Sequence, residues 1–166
     1  MNPQATAHLM SLHDLVEKAG SFKAAFERLK ASGANVERQV QQTFENDRLF
    51  RYVGFKVEKI DEGLVKMSFP FSENITRWGG MVHGGVITLA LDNACGLAVM
   101  TVNQRKNQVT MELKVNFLEK LTDGPFQVIG KVIRSGRTAI VAEGEIRDSN
   151  GGLCAKGMGT WLASGS

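Results

Sequence analysis

The sequence predicts an α+β fold: an antiparallel sheet wrapped around one central helix, with an N-terminal helical extension ahead of it. Three observations carry this. Up to about residue 49, apolar residues recur at three- and four-residue steps, the period of an amphipathic helix. From Tyr52 onward the period drops to two, with turn residues between the alternating stretches. The segment 86–102 fits neither pattern, because it is apolar almost all round, and a helix without a polar face is a buried helix.

The first element is a helix over 11–31, with Leu12, Leu15, Val16, Ala19, Phe22, Phe26 and Leu29 on one face. Ser32-Gly33-Ala34-Asn35 ends it, Gly33 serving as the cap residue. A second helix runs from Val36 to about Leu49. Then Val65, Met67, Phe69 and Phe71 alternate with Lys66, Ser68 and Pro70. Val109, Met111, Leu113, Val115 and Phe117 alternate with Thr110, Glu112, Lys114 and Asn116. Further strands fit Phe126–Arg134, Ala139–Arg147 and Leu153–Leu162. Asp61-Glu62-Gly63, Asp123-Gly124-Pro125, Ser135-Gly136-Arg137 and Asn150-Gly151 mark turns, and links this short imply antiparallel pairing. The expected division is a helical extension over 1–50 and a sheet-and-helix domain over 51–166.

Composition narrows the function. The 166 residues carry 20 Lys+Arg against 17 Asp+Glu, and the surplus is spread along the chain rather than gathered in a basic arm. Nucleic-acid affinity rests on phosphate neutralisation, so the nearly balanced N-terminal helices are expected to bind none. The one local excess lies between Arg105 and Arg137, where Lys106, Lys114, Lys120, Lys131 and Arg134 add to the two ends. No apolar run is expected to span a membrane, since the longest contains Asp92 and Asn93. The N-terminus reads as lacking a secretory signal, and two cysteines suit a reducing compartment, so the expected location is the cytoplasm.

The informative stretch is Gly79-Gly80-Met81-Val82-His83-Gly84-Gly85, which leads into the apolar helix. Gly84 and Gly85 leave the first-turn amides uncovered, and those N–H groups favour a negative or polarised oxygen. Asp92 interrupts the apolar helix, where a carboxylate is costly unless paired, hydrogen-bonded or used. His83 stands where it can fix the glycine turn. No GxSxG elbow, P-loop or GxGxxG pattern occurs. Cys95 and Cys154 read as small buried apolar residues. His8 and His13 have no metal-ligand spacing, so neither a metal nor a cofactor is expected.

His83-Gly84-Gly85, then Asp92, then Gly96, resembles the hot-dog-fold acyl-CoA thioesterases of the PaaI-like group, over residues 50–162 or so. The likeness includes Val109–Leu113, the Ser135–Thr138 turn and the closing 148–159 hairpin. It implies a hot-dog fold and hydrolysis of an acyl-CoA, with CoA entering only as part of the substrate. By residue, it implies Asp92 as nucleophile or general base, the Gly84 N–H as donor to the thioester carbonyl, and Thr110 as the hydroxyl that positions water or carboxylate. His83 supports the turn. Gly85, Asn93, Arg77 and Arg137 are the expected substrate contacts, Arg137 and its basic neighbours facing CoA phosphates. Many members carry Asn six residues before the motif's His, where this chain has Arg77. Two other readings stay open: a hot-dog dehydratase of 3-hydroxyacyl thioesters, and a non-catalytic acyl-CoA-binding regulator.

Eight residues of helix separate Gly84 from Asp92, about 12 Å of rise. A reacting carbon sits near 3–3.5 Å from each group acting on it. One chain therefore cannot bring both to one thioester, and two sites across a two-fold axis are expected. The resemblance likewise implies a homodimer or a dimer of dimers.

Overall fold

The computed structural model describes residues 12–165. His8 and the start of the first expected helix lie outside them. The expected helix over 11–31 is two helices, α1 (Leu12–Ala19) and α2 (Phe22–Ala31). Gly20 turns the chain with φ +84°, and Ser21 caps α2 by accepting the Ala24 N–H at 3.1 Å. The second expected helix is likewise divided, into α3 (Val36–Phe44) and α4 (Arg48–Val53). Asp47 Oδ1 caps α4, accepting the Leu49 and Phe50 N–H groups at 2.8 and 2.9 Å. Tyr52 is therefore helical, and the first strand begins four residues later.

Eight strands follow: β1 (Lys56–Asp61), β2 (Leu64–Phe69), the two-residue β3 (Thr76–Arg77) and β4 (Met81–Val82), β5 (Asn107–Phe117), β6 (Phe126–Ser135), β7 (Ala139–Arg147) and β8 (Leu153–Ser164). Six form one antiparallel sheet in the order β1-β2-β6-β7-β8-β5, and β3 and β4 pair as a small hairpin. Between β4 and β5 runs α5 (Gly84–Val102). With 19 residues and a mean hydropathy of 1.6 it is long and apolar enough to cross a membrane by length and composition, which corrects the expectation that no segment is. Its place against the sheet accounts for that composition: Ala90, Leu91, Ala94, Cys95, Ala98 and Val99 are fully buried.

Close approach of helix and sheet depends on missing side chains. Gly130, Gly144 and Gly157 are paired neighbours across β6, β7 and β8. A Cβ on Gly130 would lie 2.3 Å from the Ala94 carbonyl, and one on Gly144 would lie 2.8 Å from Cys95 Sγ. The N-terminal helices share this core. Phe44, Phe50, Phe55, Phe69 and Phe126 form a chain of rings with successive centroids 5.0, 5.0, 5.5 and 5.0 Å apart.

The two edges of the sheet differ. Along β1, Gln41 Oε1 accepts the Val57 N–H at 2.8 Å and Glu37 Oε1 accepts the Ile60 N–H at 3.2 Å, both from α3. Along β5 no strand lies on the outer side among the described residues. β5 also departs from simple alternation. Its register with β8 shifts between Thr110 and Glu112, so Met111 is an inserted residue. The side-chain faces exchange there: Gln108 and Thr110 reach α5 before the bulge, and Leu113 and Val115 pack into the core after it. Val109 and Met111 are consequently exposed, unlike Leu113 and Val115 of the same alternating run.

Candidate active site

The start of α5 is built by His83. Its backbone is extended (φ −64°, ψ 135°) and its N–H is held by the Ile75 carbonyl at 2.9 Å. Gly79 and Gly80 (φ +101° and +71°) make the turn between β3 and β4 that delivers the chain there. His83 Nδ1 accepts the Gly85 N–H at 2.9 Å, so this ring nitrogen carries no proton. The His83 carbonyl takes the Val86 and Ile87 N–H groups at 2.9 and 3.2 Å. Of the first-turn amides, the Gly84 N–H alone has no partner among the described residues. A Cβ on Gly85 would press to 3.1 Å from His83 Nδ1, so the second glycine is what admits the cap.

Beside Gly84 opens a cleft of about 410 Å³. Val82, Ile87 and Leu121, all 5% exposed or less, form its apolar depth. Arg77, Glu119 and Lys120 are its polar residues. Arg77 extends from β3, and its Nη2 lies 2.9 Å from Met81 Sδ. The Phe117 ring completes the wall, with two ring carbons 3.5 Å from where a Gly84 Cβ would be.

One side of α5 faces β5. There the Thr110 hydroxyl donates to Asp92 Oδ1 at 3.0 Å. Asp92 is half-buried rather than fully enclosed, and Thr110 is exposed, so the carboxylate is open toward the unpaired edge of the sheet. One helical turn further, Gln108 Nε2 donates to the Gly96 carbonyl at 2.7 Å, while Gln108 Oε1 is buried without a hydrogen-bond partner. Gln108 and Thr110 thus tie the same strand to the same helix at adjacent turns. Cys95, next on the helix, has its thiol pushed up to about 12 by burial, with the Asp92 and Glu143 charges adding to the effect. It carries essentially no thiolate near neutrality and is no nucleophile.

The structure therefore brings Asp92 to Thr110, and His83 and Gly85 to Gly84, and it sets Arg77 in the cleft. Asp92 does not line the Gly84 cleft. Arg137 sits in the β6–β7 turn and does not line the cleft, and the Asn93 side chain has no hydrogen bond among the described residues. Of the basic stretch, Lys106 is engaged by Glu17 at 2.7 Å. Among the described residues no group of three or more His, Cys, Asp or Glu side chains is arranged to hold a metal ion. Two residues of the site escaped the sequence reading. Phe117 reads in the sequence only as one apolar position of an alternating strand, and Gln108 precedes the alternating run.

Residues 79–155 match the family model described as Thioesterase superfamily. A "putative esterase" of Saccharolobus solfataricus is 43% identical over 125 residues, 75% of this chain and 89% of that protein. Among solved structures, a thioesterase family protein from Silicibacter pomeroyi superimposes with a TM-score of 0.70 at 26% identity, over 76% of this chain and 96% of that one. Zebrafish thioesterase superfamily member 2 gives a TM-score of 0.72 at 22% identity, over 79% and 100%. The architecture is the hot-dog fold.

Proposed function

This chain belongs to the thioesterase superfamily and is a thioester or ester hydrolase, and we propose that it hydrolyses an acyl-CoA to the free acid and CoA, as a PaaI-like enzyme. The observation that carries this reading is the unpartnered first-turn amide at Gly84, opening on a cleft, together with the Asp92 carboxylate further along the same helix, held by the Thr110 hydroxyl of β5. Thioester hydrolysis builds negative charge on the carbonyl oxygen, and one preorganised donor there is worth roughly 2.7–4 kcal/mol. The Gly84 N–H supplies that donor. His83 keeps it free by occupying Gly85 and taking the next two amides onto its own carbonyl.

Asp92 acts as base or as nucleophile. As base it takes a proton from water; the water oxygen bonds to the carbonyl carbon, the C–S bond breaks, and the sulfur leaves as thiolate and takes up a proton. As nucleophile its oxygen bonds to the carbonyl carbon while the C–S bond breaks and the sulfur leaves as thiolate, giving an anhydride that water then opens to the free acid and the restored carboxylate. In both, Thr110 orients the carboxylate. The dehydratase alternative asks His83 to move protons, which leaves only Nε2 for the task because Nδ1 is committed to the helix cap.

Gly84 and Asp92 of one chain lie too far apart to act together, so the active unit is a homodimer with two shared sites. The open β5 edge is the surface suited to it. Thr110 is near one end of β5 and Phe117, beside Gly84, is at the other. Antiparallel pairing of two β5 strands about their middle carries each Thr110–Asp92 pair toward the partner's Gly84. Exposed Val109 and Met111 at that edge are buried by such pairing.

Free-thiol release from a panel of acyl-CoAs tests the activity, and sedimentation at assay concentration tests the assembly. Release at the wild-type rate by Asp92→Ala, or full activity in a monomer, overturns the mechanism.

A further inference from the structure

We propose that Phe117 is the selectivity wall for the acyl group, holding its first carbons flat against the Gly84 amide and rejecting branching next to the carbonyl. This rests on the acyl-CoA reading above and goes beyond it by naming which acyl groups are favoured. The ring is near the proposed reacting centre. Its Cε1 and Cζ both stand 3.5 Å from the position a Gly84 side chain would take. An oxygen accepting from the Gly84 N–H lies about 2.9 Å from that nitrogen. The carbonyl carbon and the carbon attached to it then fall within reach of the same ring.

Phe117 is also not spent on the core. Leu113 and Val115, on the same stretch of β5, pack into the hydrophobic interior, whereas Phe117 is 57% exposed and turns its ring to the cleft. The cleft's depth is apolar, formed by Val82, Ile87 and Leu121, and its volume of about 410 Å³ falls in the range of small-ligand pockets. An acyl chain entering it runs along the face of the ring, beside the first turn of α5. A methyl branch on the carbon next to the carbonyl collides with the ring, and a straight chain does not. Removing the ring should therefore change the choice between acyl groups while leaving the shared CoA portion untouched.

The test compares straight and 2-methyl-branched isomers, butyryl-CoA with isobutyryl-CoA and one longer pair, in the wild type, Phe117→Ala, Phe117→Leu and Phe117→Tyr. Dimer content is checked by sedimentation. Expected is a wild-type preference for the straight isomer that falls at least tenfold in kcat/KM ratio in Phe117→Ala. It falls less in Phe117→Leu, which retains an apolar strand residue if the alanine variant folds poorly, and it is kept in Phe117→Tyr. An unchanged ratio in Phe117→Ala and Phe117→Leu overturns the proposal. So does an equal rise in KM for every acyl-CoA, which would assign the ring to the pantetheine arm. Failure of the wild type to release thiol from any acyl-CoA is a different result: it refutes the acyl-CoA reading itself, and this inference with it.

Discussion

Replacing Gly130 by alanine tests the account of how α5 is seated. The added carbon would fall 2.3 Å from the carbonyl carbon and oxygen of Ala94 and 2.6 Å from the Cys95 nitrogen, where ordinary contact begins near 3.4 Å. All three are backbone atoms, so no side-chain rotation relieves the overlap. Helix and strand must part by roughly 1 Å, and overpacking of this kind costs about 1–3 kcal/mol. Because the obstacle is main chain, the upper end of that range, about 3 kcal/mol, applies. For a chain of this length each kcal/mol moves Tm by about 2–4 °C, so a fall of about 6–12 °C is expected. Activity should fall further than stability alone accounts for. Ala94 is two residues from Asp92, and a displacement of about 1 Å at a reacting group can cost on the order of 100-fold. Calorimetry and thiol release, assayed well below both melting points, measure the two effects. Gly96→Ala is the internal control: its new carbon meets Gln108 Nε2 and Trp161 Nε1 at an ordinary 3.6 Å, in mid-helix. It should leave Tm unchanged or raise it by a few degrees, the helix gaining about 0.4–1 kcal/mol. A Gly130→Ala protein that melts with the wild type would refute the argument.

Asp92→Asn should lower kcat by at least about 100-fold with little change in Tm, because the carboxylate has Thr110 as its one hydrogen-bond partner among the described residues and the amide can keep that contact. Thr110→Val removes the 3.0 Å bond to a charged acceptor, an interaction of about 1.5–3 kcal/mol, so kcat should drop by roughly 10- to 150-fold with KM nearly constant. Native protein should show almost no reaction with a disulfide reagent at pH 8 and should yield both cysteines on unfolding. Burial raises both thiols, Cys95 to about 12, which leaves a thiolate fraction there of about 10⁻⁴. The sign for stability follows: the unfolded thiol ionises near 9 while the folded one stays neutral, so Cys95's contribution is intact below that pH and is lost as pH rises toward 12, which denaturant titrations across this range measure.

Much of this molecule is legible in its sequence where one physical demand outweighs the rest. An apolar segment without a polar face has to be enclosed, and α5 is. Two glycines after a histidine leave little besides a helix start with bare amides, and His83 and Gly84 form one. Where structure turns on a single local bond the sequence was less open. Ser21 lies inside an unbroken amphipathic period, so its role as a cap was hidden among residues that would equally continue the helix. Asp47 likewise begins α4 by capping it, three residues beyond the end of α3. The bulge at Met111 depends on pairing with β8, a partner some fifty residues away, so alternation alone does not show that the side-chain faces exchange there. Gln108 looked like an ordinary polar residue at a strand start until its amide was found on the Gly96 carbonyl. Arg137 was selected by charge, which says nothing of distance, and it stands apart from the cleft.

The unequal edges of the sheet bear on stoichiometry. A sheet with two bare edges can add a copy at each end and grow into a filament. Here the side chains of Glu37 and Gln41 already occupy backbone groups of β1, so that end is stoppered from within the same chain. The proposed β5 contact is related to itself by a two-fold axis, and forming it covers the edge that is bare among the described residues. With β1 closed in this way, strand addition in the proposed assembly terminates at two, and it is α3, through Glu37 and Gln41, that limits the count.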